Sequence, residues 1–184
     1  EPEPVDNKVV AHRGCYAETG FPQNSVAGLK KAVEMKLFAS ECDIHLTKDG
    51  KVVVYHDDYY LGNTCFKDAT YAELCAKGTL ANGEKLPLLE EFIDVVLEGG
   101  CTQLWIDVKT LGDEAGGNAE ASRTGIAAAQ IVHEKRAKNF VGFIVGRLAI
   151  RDKVIPAVRS AWPVSYGAAA YEPGDFIARD IPWA

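Results

Sequence analysis

The chain has 184 residues, 47% of them hydrophobic and 25% charged, which is the composition of one ordinary globular domain able to bury a core of its own. A net charge of −6 lacks the basic footprint that binding to a phosphate backbone leaves, so a nucleic-acid partner is not expected. No apolar run approaches the roughly 18 residues of a membrane span. In chain order, "EPEPVDN" is acidic and rich in proline, and residues 1–7 read as a disordered or processed lead-in that points toward export to a bacterial periplasm or beyond. Residues 8–184 read as a single domain. Lys8 to His12 is a short β-branched run. Asn24 or Ser25 then caps a helix whose apolar positions are Val26, Leu29, Val33 and Leu37. Phe38 to Thr47 alternates as a strand, with Glu41, Asp43 and His45 on one face and Ser40, Cys42, Ile44 and Leu46 on the other.

Lys51 to Asp58 is the next strand. Between the two, "TKDGK" is a two-residue hairpin signal that pairs Lys48 with Lys51 and puts Asp43 opposite His56. Thr70 and Glu73 have capping-box spacing before a short helix. A longer helix through Leu89, Phe92, Ile93, Val96 and Leu97 is stopped by Gly99 and Gly100. Gln103 to Lys109 is a strand. A polar loop over residues 112–118 leads to a helix through Ile126 and Val132. Phe140 to Val145 is a strand, Asp152 to Ser160 is helical, and Pro163 to Ala169 is a last strand. Strands alternating with helices predict an α/β domain with mostly parallel strands. The five cysteines show no CxxC or zinc-like spacing and read as small buried hydrophobes, with a Cys65–Cys75 disulfide possible.

In parallel α/β architectures, sites form at the carboxyl ends of strands. Four strands here end in polar residues: His12-Arg13, Glu41-x-Asp43, His56-Asp57 and Asp107-x-Lys109. Each fragment alone has an ordinary structural explanation, as a solvated edge strand, a satisfied histidine or a surface ion pair. Asp57 and Asp58 suit the turn that follows their strand, and His45 and His133 read as structural or surface residues. Four such endings in one chain are harder to explain that way. Glu41 and Asp43 point the same way from one strand and repel unless a proton or cation separates them. An all-carboxylate set, with Asp107 as a third member, suits Mg²⁺ or Ca²⁺. His12 and His56 titrate near neutral pH and can serve as acid and base. Arg13 and Lys109 suit an anion, Arg in particular a phosphate. One divalent cation, two histidines, Arg and Lys together describe phosphoester hydrolysis.

Taken in order, "AHRG", "PQNS", "ECDIHLTKDGKVVVYHDD", "LPLLEEFID" and "WIDVK" resemble the glycerophosphodiester phosphodiesterases, over roughly residues 8–109. The resemblance implies a TIM-type (β/α) barrel, incomplete here because five or six strands are visible where a barrel has eight over about 250 residues. It implies hydrolysis of a small glycerophosphodiester to glycerol 3-phosphate and an alcohol, through attack by the substrate's own glycerol hydroxyl and opening of a cyclic phosphate by water. It implies a divalent metal on Glu41, Asp43 and Asp107, His12 and His56 as the acid/base pair, and Arg13 and Lys109 on the phosphate. The chain departs from the family pattern at Gln23 and at Asp107, each of which stands where the family usually has Glu. The late Trp-Thr-Val-Asn motif is absent. Two rival readings remain beside this one: a phospholipase of the sphingomyelinase D type, and a degenerate barrel that binds a phosphorylated ligand without turnover.

Overall fold

The structure is a computed structural model and describes residues 1–17 and 19–161. The strand expected over residues 163–169, with Trp162 and Trp183, lies outside the described residues. Four parallel strands make the frame: β1 (Val10–Ala11), β2 (Ala39–Leu46), β6 (Gln103–Val108) and β7 (Val141–Val145), side by side in that order. Between them run β3 (Val52–Val54), antiparallel on β2, and a small hairpin of β4 (Tyr59–Tyr60) and β5 (Thr64–Cys65) that the sequence reading did not anticipate. The helices are α1 (Val26–Glu34), α2 (Tyr71–Lys77), α3 (Leu89–Gly99), α4 (Gly117–Glu134) and α5 (Leu148–Ala161). None of the described helices is long and apolar enough to cross a membrane.

The alternation of β2 sorts its side chains as expected. Cys42, Ile44 and Leu46 join Leu104, Ile106, Val108, Val141, Phe143 and Val145 in a core that also takes in Leu29, Phe92, Ile93, Val96, Ala128 and Val132 from α1, α3 and α4. The opposite face carries Ala39, Glu41 and Asp43 beside Gln103, Trp105 and Asp107, in register across the two strands. The core packing of one face therefore dictates where the carboxylates of the other must point, since a one-residue slip would exchange them.

Local chemistry sets the element ends. Ser25 caps α1, its Oγ accepting from Gly28 N at 3.0 Å. Thr70 and Glu73 form the expected capping box on α2. Gly100, left-handed at φ +76°, ends α3. The β2–β3 hairpin departs from expectation by one residue. Ile44 pairs with Val54, so Asp43 lies opposite Tyr55, whose N donates to Asp43 O (3.0 Å), and not opposite His56. The reason is a three-residue loop: Thr47 N donates to Lys51 O and Lys51 N to Thr47 Oγ1, both at 2.9 Å, and Gly50 closes the turn at φ +78°. All five cysteines are free thiols, Cys65 and Cys75 included.

Candidate active site

The polar groups converge at the carboxyl ends of β1, β2 and β6. Asp43 and Asp107 are direct partners on adjacent parallel strands, and Glu41 lies two residues back on the same face. One carboxylate oxygen from each of the three lies within 4.8 Å of the others. Glu41 is 3% exposed and Asp43 2%. Burial, and then the neighbouring Asp43 and Asp107 carboxylates, push Glu41 well above the usual carboxylate range. Burial and then Asp43 push Asp107 up to about 7, against the pull of Lys109 and Arg13. A cluster that holds protons this firmly is one in which a cation of higher charge can take their place. The oxygen-only donor set and its burial fit a divalent cation.

The cationic groups sit around Asp43. Arg13 follows β1 in a left-handed turn at φ +57°, and its N donates to Glu41 Oε2 (2.9 Å). Its Nε lies 3.6 Å from Asp43 Oδ2 and is buried without a hydrogen-bond acceptor, while Nη1 donates to Gln23 Oε1 (2.8 Å). Lys109 Nζ approaches Asp43 Oδ1 at 3.4 Å. His12 Nε2 is 3.9 Å from Glu41 Oε2. Burial, and after it the Arg13 charge, push the His12 pKa down to about 4, so the ring is neutral near pH 7.

His56 stands beyond β3 and shares a cavity with Gln23, the partner of Arg13. Its Nδ1 lies 2.7 Å from Asp57 Oδ1, so Asp57 orients the ring, which goes beyond the turn role that the sequence suggests for it. Asp58 ties that turn to the loop after β6 by accepting from Gly112 N (3.3 Å). His45 is structural: it is 2% exposed and stacks on Phe66 with ring centroids 4.3 Å apart.

The residues that sequence reasoning undervalued are Asn24 and Gln23. By sequence Asn24 is a possible helix cap, but Ser25 does that work. The Asn24 amide instead grips Asp43 twice, Nδ2 donating to Oδ2 (2.9 Å) and Oδ1 accepting from Asp43 N (3.2 Å). Asn24 is 2% exposed and left-handed at φ +54°, a conformation that Asn tolerates better than most residues. The signal was there: two good capping residues in succession cannot both cap, and the spare one is available to the site.

A profile of the Glycerophosphoryl diester phosphodiesterase family matches residues 12–139. A glycerophosphodiester phosphodiesterase from Bacillus altitudinis is 28% identical over 165 residues, 84% of this chain and 65% of that protein. One from Caldanaerobacter subterraneus is 34% identical over 98 residues, 48% of this chain and 40% of that protein. A crystal structure of a glycerophosphodiester phosphodiesterase from Parabacteroides distasonis superposes with a TM-score of 0.68 at 30% identity, covering 86% of this chain and 62% of that one. The chain thus spans less than two thirds of the length of each of these relatives, and its four parallel strands with their helices answer to part of their fold. The family profile covers more than half of the chain and begins at His12, and the chain belongs to the glycerophosphodiester phosphodiesterase family.

Proposed function

We propose that the chain, as a single domain over residues 8–184, hydrolyses a small glycerophosphodiester to glycerol 3-phosphate and an alcohol, with one divalent cation, Mg²⁺ or Ca²⁺, held by Glu41, Asp43 and Asp107. The observation that carries this reading is Arg13. Its buried Nε lacks an acceptor and lies 3.6 Å from Asp43, beside the carboxylate cluster. A buried guanidinium donor left open is costly unless something anionic completes it, and a phosphodiester does so. Lys109 supplies a second positive charge at the same carboxylate.

The residues divide the work by their surroundings. His12, neutral near pH 7, accepts the proton of the glycerol hydroxyl that attacks phosphorus. His56, oriented through Nδ1 by Asp57, presents its other nitrogen and gives its proton to the departing alcohol oxygen. A bound divalent cation would supply charge neutralisation at the phosphoryl oxygens. The cyclic phosphate is then opened by water with the two imidazoles in exchanged roles. Arg13 and Lys109 hold the phosphoryl group throughout. The site lies at strand ends on a sheet whose other face is a packed core, so the side chains are held before substrate arrives.

The test is hydrolysis of glycerophosphocholine by the 184-residue chain with Mg²⁺, with Ca²⁺ and with EDTA. Release of glycerol 3-phosphate that EDTA abolishes is expected. His12→Ala and His56→Ala are each expected to lower turnover by about 100-fold or more while the fold persists. Binding of glycerol 3-phosphate with no turnover under either metal would overturn the reading in favour of a binding protein.

A further inference from the structure

A cavity of about 250 Å³ opens beside the site. His56, Gln23 and Asn24 border it, whereas His12, Arg13, Lys109 and the carboxylates Glu41, Asp43 and Asp107 do not. Pro22, Leu61, Leu80 and Ala81 give it an apolar wall, and Tyr55 and Thr79 complete the lining. Among the described residues, Asp57 is the one carboxylate that lines it, and no lysine or arginine does.

The wall is built rather than incidental. Leu61 sits at the tip of the β4–β5 hairpin in the left-handed conformation, φ +51°, which a branched side chain keeps only where its surroundings hold it. Here they do. Tyr60 Oη donates to Gly78 O (2.8 Å), and Gly78 has no side chain to obstruct Leu61, whose Cδ1 would lie 2.9 Å from a β-carbon placed there. Tyr55 is held against Tyr60, ring centroids 5.2 Å apart, and against Phe66 at 5.7 Å. Leu61 is nevertheless 41% exposed, which suits a side chain that faces a ligand more than one that serves the core.

We propose that this chamber receives the leaving alcohol of the diester and selects uncharged or cationic alcohols over anionic ones, with Leu61 as the specificity-determining wall. This rests on the diesterase reading. It follows from position, because the chamber meets the imidazole assigned to the leaving oxygen and not the one assigned to the attacking hydroxyl. It follows also from charge, because among the described residues no lysine or arginine lines the chamber to meet an anionic head group, and Asp57 offers it nothing.

The experiment compares kcat/KM of the metal-loaded chain on glycerophosphocholine, glycerophosphoglycerol and glycerophosphoinositol 4-phosphate. The first two are expected within a few fold of each other and the third at least about tenfold lower. Leu61→Lys is expected to lower kcat/KM on glycerophosphocholine by about tenfold and to raise it on the inositol phosphate diester, so that the preference narrows or inverts. Leu61→Gly, which suits the backbone and removes the wall without adding charge, is expected to weaken selectivity while the melting temperature holds or rises. Equal kcat/KM on all three diesters would overturn the proposal and leave the hydrolase standing. A Leu61→Lys effect that is the same on all three would overturn it as well and assign the chamber to the common glycerol half. Failure to hydrolyse any diester would overturn the diesterase reading itself, and the subsite with it.

Discussion

The site turns on Asp43 and on how many groups it must satisfy at once. Its carboxylate meets Asn24 Nδ2 at 2.9 Å, Lys109 Nζ at 3.4 Å and Arg13 Nε at 3.6 Å. Of these, only the Asn24 amide also holds the Asp43 backbone. Asn24→Ala leaves a buried carboxylate oxygen and a buried backbone N–H short of a partner, and is expected to cost about 1–3 kcal/mol of stability and to weaken divalent-cation binding. Thermal melts and calorimetric titration with Mg²⁺ check both parts; unchanged cation affinity would remove Asn24 from the positioning role. Asp107 sets a pH dependence. Its folded pKa of about 7 stands above the ordinary aspartate value, near 4, so across that window the folded chain keeps a proton that the unfolded chain has released. Without metal, stability is therefore greatest below the window and falls as pH rises through it. A cation must displace the same proton, so its affinity is expected to rise from pH 6 to pH 8, with Glu41 acting in the same direction. A Mg²⁺ affinity independent of pH over that range would contradict the assignment of Asp107 as a ligand.

Among the elements, α1 matters most to the site because Asn24 and Gln23 immediately precede it. Its N-terminus is tied down from far along the chain. Glu84 accepts from Val26 N (2.8 Å) and from Ala27 N (3.0 Å), and Asn82 Nδ2 steadies the same carboxylate at 2.8 Å. A carboxylate at the positive end of a helix satisfies two otherwise open N–H groups. Glu84→Ala is expected to cost about 1 kcal/mol and to lower turnover through the loosened Gln23–Asn24 turn. Differential scanning and kinetics on one preparation check this; a stability loss with kinetics untouched would separate the cap from the site. The β2–β3 hairpin shows how a small difference in turn chemistry matters. The Thr47 hydroxyl accepts from Lys51 N and turns an expected two-residue loop into three, which moves Tyr55 into the place opposite Asp43 and carries His56 one residue further on.

For the molecule as a whole, close approach between layers holds the strand ends in place. Gly125 lets α4 meet both α5 and the sheet: a β-carbon there would lie 2.5 Å from Val154 Cγ2 and 3.3 Å from Val108 Cγ1. Gly125→Ala gains helix propensity, but overpacking is expected to outweigh it, with a net cost of about 1–3 kcal/mol. A raised melting temperature would show that α5 can move away from α4 without loss. Because Val108 lies between Asp107 and Lys109 in the chain, the same substitution is expected to weaken cation binding as well as stability.

Much of this was legible in the sequence, because it rests on spacing along one element. The period of two in β2 told which residues face the core, and hence that Glu41 and Asp43 share the other face. The capping signals at Thr70 and Gly100 are local, since a cap is made within one turn of its helix. Polar residues that end apolar runs marked out His12, Arg13, Asp107 and Lys109. The strand-end rule also joined Asp107 to Glu41 and Asp43, but other partnerships between distant elements were hidden. The sequence did not reveal that Asn24 is spent on Asp43 while Ser25 takes the cap, that Asp57 orients His56, that Glu84 closes α1 from 57 residues away, or that the Leu61 hairpin walls a chamber beside His56. The physical reason is common to all four. A side chain's pattern fixes the face from which it departs, whereas its partner is chosen by packing among elements distant in sequence, and only the folded chain brings those elements together.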